Sequence, residues 1–332
     1  MLFMRSLLLF LLPFLFKVGT LYAQDAVTEK PDIDNCLLKK ISVASANTTV
    51  AELRLQCRDP LGNRLQKRAA LERRAARNPF ALLPHKPNYL LPITVVSINK
   101  EPYSGDPKAE KYQDTEAKFQ ISLKYLALED VFFSGLDLQV AFTLNSYWQS
   151  YNSEISAPFR ETNYEPELIL NLNKSWSLLG LPVEQTFLSL NHQSNGQTGP
   201  LSRSWNRMIA GIVFAHTNNV TWGLQTWWRI PEDAKGSLNS PDGDDNPDIE
   251  QYMGYGTLGA LWSISDQHTL ELLFRNNLRS DNRGAVQLGW TFPITENLHG
   301  YVEYFNGYGE SLIYYNQHVQ RLGLGIKLTN WL

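Results

Sequence analysis

Residues 322–329 read LGLGIKLT, a run in which apolar side chains alternate with glycine or polar residues. In an extended strand, successive side chains point to opposite faces of the sheet. Leu322, Leu324, Ile326 and Leu328 therefore share one face, and the small or polar residues between them share the other. This pattern predicts a strand with one apolar and one polar face.

The same period of two recurs along the chain from residue 89 onward. We count about twelve such runs, and the clearest are residues 119–125, 136–144, 168–172 and 270–274. An even number of amphipathic strands is typical of outer-membrane proteins. The sequence therefore predicts an all-β fold, an antiparallel transmembrane β-barrel of about twelve strands over residues 88–332. The alternative is a soluble β-sandwich or a lipocalin-like barrel.

The composition fits this fold and argues against a protein that binds nucleic acid. Charged residues make up 19% of the 332 residues and the formal net charge is −3, so we expect no nucleic-acid partner. Hydrophobic residues make up 43%, which suits strands that are only half apolar. Aromatic residues cluster near the predicted strand ends, as interfacial girdles do, and include Tyr147, Trp148, Trp227, Trp228, Tyr314, Tyr315 and Trp331.

The N-terminus has the features of a secretory signal peptide. Arg5 precedes the apolar run Leu7–Phe16, and Ala23 ends an acceptable small-residue cleavage site. We therefore expect residues 1–23 to be a signal peptide, and the mature chain to reach the bacterial outer membrane after export through the inner membrane. A retained helical anchor is the alternative, although the run is short for a membrane span.

Residues 24–87 differ in composition from the barrel and are expected to form a helical periplasmic extension. In an exported protein, Cys36 and Cys57 are expected to form a disulfide, with two separate thiols as the alternative. The basic stretch Leu61–Arg77 lacks proline, which predicts a helix. That helix is either a solvated surface or a contact with anionic lipid or another envelope component. The proline-rich stretch Asn78–Pro92 is the expected hinge.

The stretch Leu190–Arg207, LNHQSNGQTGPLSRSWNR, holds a candidate catalytic set. A serine nucleophile needs a base to take its proton, and the base needs a third group to hold its ring in the right tautomer. His192 and Ser194 are two residues apart, so in a strand they share a face at a separation of about 6–7 Å. Asn206 would arrive from the next strand through a short hairpin.

The phase of these residues predicts the side from which the site is reached. His192 and Ser194 have the phase of Leu188 and Leu190, and on the following strand Asn206 has the phase of apolar residues. If the apolar face contacts lipid, the catalytic set does so too, and an enzyme arranged in this way acts on lipid. Residues of the opposite phase, expected to face the lumen, are Arg203, Trp205 and Arg207. The alternative is a catalytically silent barrel, such as a porin, an adhesin or an assembly factor.

Several longer motifs point to one family. They are NHQSNG at 191–196, SRSWNR at 202–207, SEISAPFRETNYEP at 153–166, DDNPD at 244–248, YMGY at 252–255 and GYGESLI at 307–313. With these motifs in order, residues 78–332 resemble the outer membrane phospholipase A family. The resemblance implies a twelve-stranded barrel that hydrolyses phospholipid and lysophospholipid acyl esters (phospholipase A1 and A2) with Ca²⁺, and that is active as a homodimer. Transfer of the acyl chain to an acceptor other than water stays open.

The resemblance also implies roles for single residues. It makes Ser194 the nucleophile, His192 the general base and Asn206 the residue that orients the imidazole, with the Gly196 backbone N–H donating to the oxyanion.

The calcium ligands implied by the resemblance are oxygen atoms, as calcium prefers. They are Ser202, the carbonyl of Gln197 and Ser156 of the partner subunit, while Asp245 corresponds to a ligand of a second calcium position. Gly199 and Gln193 stand where acidic residues occur in the family. We therefore expect weaker calcium binding, or more reliance on the ligands of the partner.

Overall fold

The computed structural model describes residues 81–329 apart from 175, 216–218, 238, 241, 266 and 296–297, together with 37–38, 40–42, 44, 48–50, 53, 71–76, 78 and 80. The chain divides into two compact units, Met1–Pro60 and Leu61–Leu332. The expected signal peptide and both cysteines, Cys36 and Cys57, lie outside the described residues. No helix in the described part of the chain is long and apolar enough to cross a membrane.

One antiparallel sheet accounts for most of the second unit. Two short strands, β1 (Leu83–Pro84) and β6 (Trp176–Leu178), lie at its margin. The longer strands are β2 (Asn88–Val96), β3 (Thr115–Leu128), β4 (Leu136–Trp148), β5 (Phe159–Leu172), β7 (Leu181–Ser194), β8 (Ser204–Ala215), β9 (Val220–Ile230), β10 (Gly256–Ser263), β11 (Thr269–Asn276), β12 (Gly284–Pro293), β13 (His299–Tyr308) and β14 (His318–Thr329). Among the described residues from 81 onward, the helical segments are the α-helix Ile249–Met253 and the 3₁₀ turns Glu101–Tyr103, Ala109–Lys111, Ser153–Ile155 and Gly199–Leu201.

The twelve longer strands close into a barrel. Each pairs with the next one along the chain, and β14 pairs with β2, for example Leu322 with Val95 and Leu324 with Ile93. Closure satisfies the backbone groups that an open edge would leave unpaired in lipid, where no water replaces the missing partner. The predicted antiparallel barrel of about twelve strands is confirmed.

The two faces of each strand differ as a membrane barrel requires. In β4, Val140 and Phe142 point outward and expose 49% and 46% of their surface, whereas Gln139 and Thr143 point inward and are buried. Apolar side chains therefore cover the outside and polar side chains the inside, because the solvent around the barrel is lipid.

Paired charges occupy the interior near the barrel end that carries the long loops 97–114, 149–158, 195–203, 231–255, 277–283 and 309–317, which we call the loop end. Glu116 lies between Arg160 and Arg321, at 2.7 and 2.8 Å, and Lys118 lies 2.6 Å from Glu303. All five side chains are almost fully buried. A buried charge without a partner costs several kcal/mol, and pairing offsets that cost.

The loop 309–317 folds into the same end of the barrel. The buried Leu312 and Ile313 donate their backbone N–H groups to Asn163 Oδ1 and Glu161 Oε1, at 3.0 and 3.1 Å. A cavity of about 260 Å³ lies within the barrel. Because side chains and a loop fill the loop end, the interior does not form an open pore there.

The expected hinge Asn78–Pro92 is wrong in part, because strands begin within it. The strand β1 pairs with β3, and β2 begins at Asn88. Pro92 lies where the register of β2 against β3 shifts, between Leu91 and Thr94. A bulge of this kind accommodates proline, which has no N–H to give to the ladder.

The described residues 71–76 of the N-terminal extension are helical. Glu72 pairs with Lys124 at 2.8 Å, and Arg73 pairs with Asp137 at 3.0 Å. Lys124 and Asp137 are buried polar residues of barrel strands. This helical stretch is therefore bonded to barrel strands through Glu72 and Arg73, while Leu71, Arg74 and Ala75 are exposed, as a solvated surface would be. The extent of the extension stays a prediction.

The seam between β2 and β14 gives a test of closure. A Cβ atom at Gly325 would overlap the carbonyl oxygen of Leu90, because the two strands approach closely at an irregularity next to Ile326. We expect Gly325→Val to destabilise the barrel by about 1–3 kcal/mol, the usual cost of overpacking. The measurement is the urea midpoint for loss of the heat-modifiable folded band in detergent. Gly259→Val is the matched control, because a Cβ there has nothing within 4 Å. Equal midpoints for the two variants would contradict this account of the seam.

Candidate active site

Strands β7 and β8 bring two residues of the predicted triad, His192 and Asn206, into contact. Their register sets His192 opposite Asn206 and Ser194 opposite Ser204. His192 Nδ1 lies 2.8 Å from Asn206 Oδ1. Because an amide oxygen only accepts hydrogen bonds, Nδ1 is the donor of this bond, and in the neutral ring Nε2 is then the nitrogen without a hydrogen. The predicted base and the residue predicted to orient it are thus in direct contact.

Ser194 shares the outer face of β7 with His192. It lies two residues further along the same strand, at the loop end, so the two side chains point the same way. Leu188 and Leu190, which precede them in the same phase, are 44% and 48% exposed. His192 is exposed and Ser194 is half-buried. The placement is the one that the period of two predicts, on the side of the barrel that faces lipid.

The inner face of the same strands is a buried polar cluster. Arg207 Nη2 donates to Asn191 Oδ1 at 2.7 Å and to Glu165 Oε1 at 3.0 Å. Trp205 Nε1 donates to Gln193 Oε1 at 2.8 Å. These bonds join β5, β7 and β8 on the inner face, directly opposite the outward-facing His192 and Asn206. Trp205 and Arg207 face inward, as expected.

Asn195 shapes the turn that follows Ser194. Its Oδ1 accepts from the backbone N–H groups of Gln197 and Arg203, at 3.2 and 3.0 Å. Its Nδ2 donates to the carbonyl oxygen of Leu201 at 2.8 Å. This buried side chain therefore satisfies three backbone groups of the loop 195–203 that would otherwise lack partners.

Gly196 occupies a position that requires glycine. Its φ is +65°, in the left-handed region. A Cβ atom there would lie 3.2 Å from Tyr164 Cε2, closer than ordinary van der Waals contact. Both features favour glycine. The role of the Gly196 N–H as an oxyanion donor, two residues after Ser194, stays a prediction.

A cluster of oxygen atoms lies beside the turn. The hydroxyls of Ser202 and Ser204 each donate to Asp245 Oδ2 at 2.9 Å. Lys235 Nζ forms an ion pair with Asp245 Oδ1 but is not aligned to donate a hydrogen bond to it. Among the described atoms, the buried Asp245 Oδ1 therefore has no hydrogen-bond donor. Calcium prefers hard oxygen ligands, and this donor set fits it. No group of three or more His, Cys, Asp or Glu side chains that could hold a metal occurs in the described part of the chain.

The loop that carries this carboxylate is anchored on both sides. The fully buried Asn246 accepts from the Ser204 backbone N–H at 3.1 Å, and its own N–H donates to Asp244 Oδ1 at 3.0 Å. The Tyr315 hydroxyl donates to Asp248 Oδ1 at 2.6 Å. Burial, together with that bond, raises the pKa of Tyr315, so its hydroxyl remains a donor at neutral pH.

The other residues implied in calcium binding lie in loops at the same end. Gln197 is exposed in the loop 195–203, and Gly199 in that loop has a φ of +61°. Ser156 is exposed between β4 and β5 with a φ of +62°. Gln193 faces inward against Trp205. Of the two positions where the family has acidic residues, only Gly199 lies in the loop of the expected calcium ligands. The expected loss of negative charge beside calcium therefore concerns Gly199 and not Gln193.

Three residues that contact the site were not predicted. They are Ser204, Lys235 and Glu232, whose Oε1 accepts from Asn206 Nδ2 at 3.0 Å. The sequence pattern could have indicated two of them. Ser204 has the phase of the outward-facing residues of β8, and Glu232, two residues past the end of β9, continues the outward phase of that strand. Lys235 lies in a loop without periodicity, so the sequence gave no indication of its contact.

Known proteins resemble this chain over most of its length. The sequence model of the phospholipase A1 family matches residues 65–328. A phospholipase A1 from Klebsiella pneumoniae is 37% identical over 76% of this chain and 84% of its own. The chain belongs to the phospholipase A1 family. Like the outer membrane phospholipases of this family, the chain is an outer-membrane β-barrel.

Two solved structures support the family at the level of the fold. One is an active-site mutant of outer membrane phospholipase A from Escherichia coli, in which an asparagine is replaced by alanine. It is 34% identical, with a TM-score of 0.70 over 77% of this chain and 94% of its own. The other is an outer membrane phospholipase dimer from Salmonella typhi with bound calcium. It is 33% identical, with a TM-score of 0.70 over 77% of this chain and 95% of its own.

The turn after the nucleophile gives a second test, with a matched control. Asn277, at the start of the loop 277–283, repeats the bonding of Asn195: it accepts from the N–H groups of Arg279 and Arg283 and donates to the Gln251 carbonyl. Alanine at either position leaves backbone groups unsatisfied, at a cost of about 1–3 kcal/mol. We expect only Asn195→Ala to slow the reaction of Ser194, the predicted nucleophile, with a fluorophosphonate probe, by about tenfold. Equal slowing in Asn277→Ala would show that the turn held by Asn195 has no special role in the reaction of Ser194.

Proposed function

We propose that this protein hydrolyses the acyl esters of phospholipids and lysophospholipids in the outer membrane, as a phospholipase A1 and A2, with Ser194 as its nucleophile. The observation that carries the proposal is the hydrogen bond between His192 and Asn206 on the lipid-facing side of the barrel, beside Ser194. Membership of the phospholipase A1 family supports the reaction. The relative whose active-site asparagine was replaced supports a catalytic role for Asn206.

The first half of the reaction forms an acyl-enzyme. Ser194 Oγ attacks the ester carbonyl carbon while His192 Nε2 takes the hydroxyl proton. Asn206 Oδ1 accepts from Nδ1–H and holds the imidazolium that forms. When the tetrahedral intermediate collapses, the bond to the glycerol oxygen breaks, and His192 returns its proton to that oxygen. The lysophospholipid or glycerol derivative leaves.

The second half releases the fatty acid. A water molecule attacks the acyl carbon while His192 takes one of its protons, and collapse of the intermediate returns that proton to Ser194 Oγ. The Gly196 N–H, in the turn after Ser194, donates to the oxygen that carries negative charge in both intermediates. Since the left-handed Gly196 is fixed by the bonds of Asn195, this donor is held in place before substrate binds.

The position of the site on the barrel fits a substrate that stays in the membrane. Acyl chains lie against the outward apolar side chains below the triad, such as Leu188 and Leu190. The ester group of the lipid then lies near the loop end, where Ser194 ends β7. The substrate therefore reaches Ser194 from the bilayer and not through the barrel interior.

Calcium is the cofactor of the proposed reaction, supported by the calcium-bound relative and by the oxygen cluster at Asp245. One ion would be held by Ser202, the Gln197 carbonyl and Ser156 of the partner subunit. Asp245 and Ser204 would hold an ion at a second position. When bound, calcium supplies positive charge near the oxygen on which negative charge develops. The dimeric relative supports a homodimer as the active form.

The silent-barrel alternative has less support. A pore would need an open interior, whereas paired charges and the loop 309–317 fill the loop end. No observation in the described residues favours an adhesin or an assembly factor.

The reaction itself is tested by fatty-acid release from mixed phospholipid–detergent micelles. We expect Ser194→Ala to lower release by roughly 10³-fold or more, and excess chelator to do the same to the wild type. Ser177→Ala, an exposed serine on β6, is the matched control and is expected to keep full activity. Release that survives in Ser194→Ala would refute the proposed nucleophile, and release that survives chelation would refute calcium.

Lys235 provides a test of the cation position. Its ammonium group neutralises Asp245, so Lys235→Met should strengthen calcium binding, by about tenfold if the ion pair opposes it by roughly 1.4 kcal/mol. Isothermal titration of the detergent-solubilised protein measures the affinity directly. Lys174→Met, an exposed lysine at the opposite end of the barrel, should leave the affinity unchanged. A gain that persists in Asp245→Asn/Lys235→Met would place the ion elsewhere.

A further inference from the structure

The amide of Asn206 makes a hydrogen bond on each of its sides. Oδ1 accepts from His192 Nδ1–H at 2.8 Å, and Nδ2 donates to Glu232 Oε1 at 3.0 Å. Three neighbouring parts of the sheet supply these groups, since β7 carries His192, β8 carries Asn206, and Glu232 follows β9. The three side chains form one row across the outer surface.

The end of β9 explains how Glu232 reaches this row. Ile230, the last residue of β9, is paired with Asn206 across the sheet. Glu232 follows two residues later and has the same phase in an extended chain. Pro231 between them has a fixed φ and no N–H that needs a partner beyond the end of the ladder. The half-buried carboxylate is thereby held beside the amide.

We propose that Glu232 is a positioning residue of this active site, which fixes the Asn206 amide and, through it, the tautomer of His192. The proposal rests on the triad proposed above. An asparagine amide has an acceptor and a donor of nearly the same shape, and a carboxylate only accepts. Glu232 therefore draws Nδ2 to itself and turns Oδ1 to the ring. The reversed amide would face the ring with a donor and favour the tautomer in which Nε2 carries the hydrogen, which cannot take a proton from Ser194.

Glu232 also supplies a negative charge that Asn206 lacks. In Ser-His-Asp sites, one aspartate both orients the ring and stabilises the imidazolium. Here a neutral amide contacts the ring, and the carboxylate stands behind it. A neutral residue suits the position next to the ring, because an ionised group among the lipid-facing Leu190 and Met208 would lose its hydration. The charged Glu232 instead lies past the end of β9.

The test is a double-mutant cycle between Glu232 and Asn206. Fatty-acid release is measured in micelles with calcium, for wild type, Glu232→Gln, Asn206→Ala and the double variant. We expect Glu232→Gln to lower kcat by about fivefold to tenfold at unchanged KM, because it weakens the base and not lipid binding. In the Asn206→Ala background the same change should have no further effect, because its route to His192 is gone. The folded fraction of each variant is verified by heat-modifiable electrophoretic mobility.

A second readout follows the nucleophile alone. The rate at which an alkyl fluorophosphonate modifies Ser194 should fall in Glu232→Gln by the same factor as kcat, since both depend on the free Nε2 of His192. Asp233→Asn removes the same charge from the adjacent, exposed position and should change neither rate. Glu232→Asp, which keeps an acceptor-only group, should retain more activity than Glu232→Gln.

The outcomes separate this proposal from the one on which it rests. Equal losses from Glu232→Gln with and without Asn206, or a loss that appears in KM, would show that Glu232 only shapes its loop and would overturn the inference. Full activity in Glu232→Gln would overturn it as well. Activity and labelling that persist in Ser194→Ala would instead refute the proposed nucleophile.

Discussion

Closure of the barrel between β2 and β14 is the constraint on which the rest of the structure depends. In lipid, each unpaired N–H or C=O costs several kcal/mol, so the strands must form a sheet without edges. The register at the seam, with Leu322 against Val95 and Leu324 against Ile93, completes that sheet. Once it is closed, each side chain points either to lipid or to the interior, and the period of two decides which. Placement of chemical groups then follows from their phase along a strand.

This division explains why the site lies on the outside and why the interior is filled. Inward positions hold the ion pairs around Glu116 and the cluster around Arg207, which lies behind His192 and Asn206. Outward positions carry apolar side chains up to the loop end, where β7 ends with Ser194. A triad at that level can be polar because it borders the loops. Its member in contact with the ring is the neutral Asn206, which loses less hydration than a carboxylate would.

The sequence allowed the barrel, its number of strands and the outward phase of His192 and Ser194 to be predicted, because alternation along a strand is local information. It did not reveal which residues face each other across strands, since register depends on turns and on bulges such as the one at Pro92. The pairing of His192 with Asn206 was expected only in outline, and the contact of Glu232 with Asn206 was missed. The contact of Lys235 had no local signal, because loops lack a period.

The loop after β9 contacts both the Asn206 amide beside His192 and the oxygen cluster at Asp245. Glu232, at its start, accepts from the Asn206 amide, and Asp245, near its end, accepts from the hydroxyls of Ser202 and Ser204. A bridge between Ala234 and Asp244 joins the two limbs, and the Lys235 ammonium of the first limb pairs with the carboxylate of the second. A displacement of one limb therefore acts on the other through these contacts. One loop therefore contacts both the Asn206 amide that bonds His192 and the oxygen atoms around Asp245.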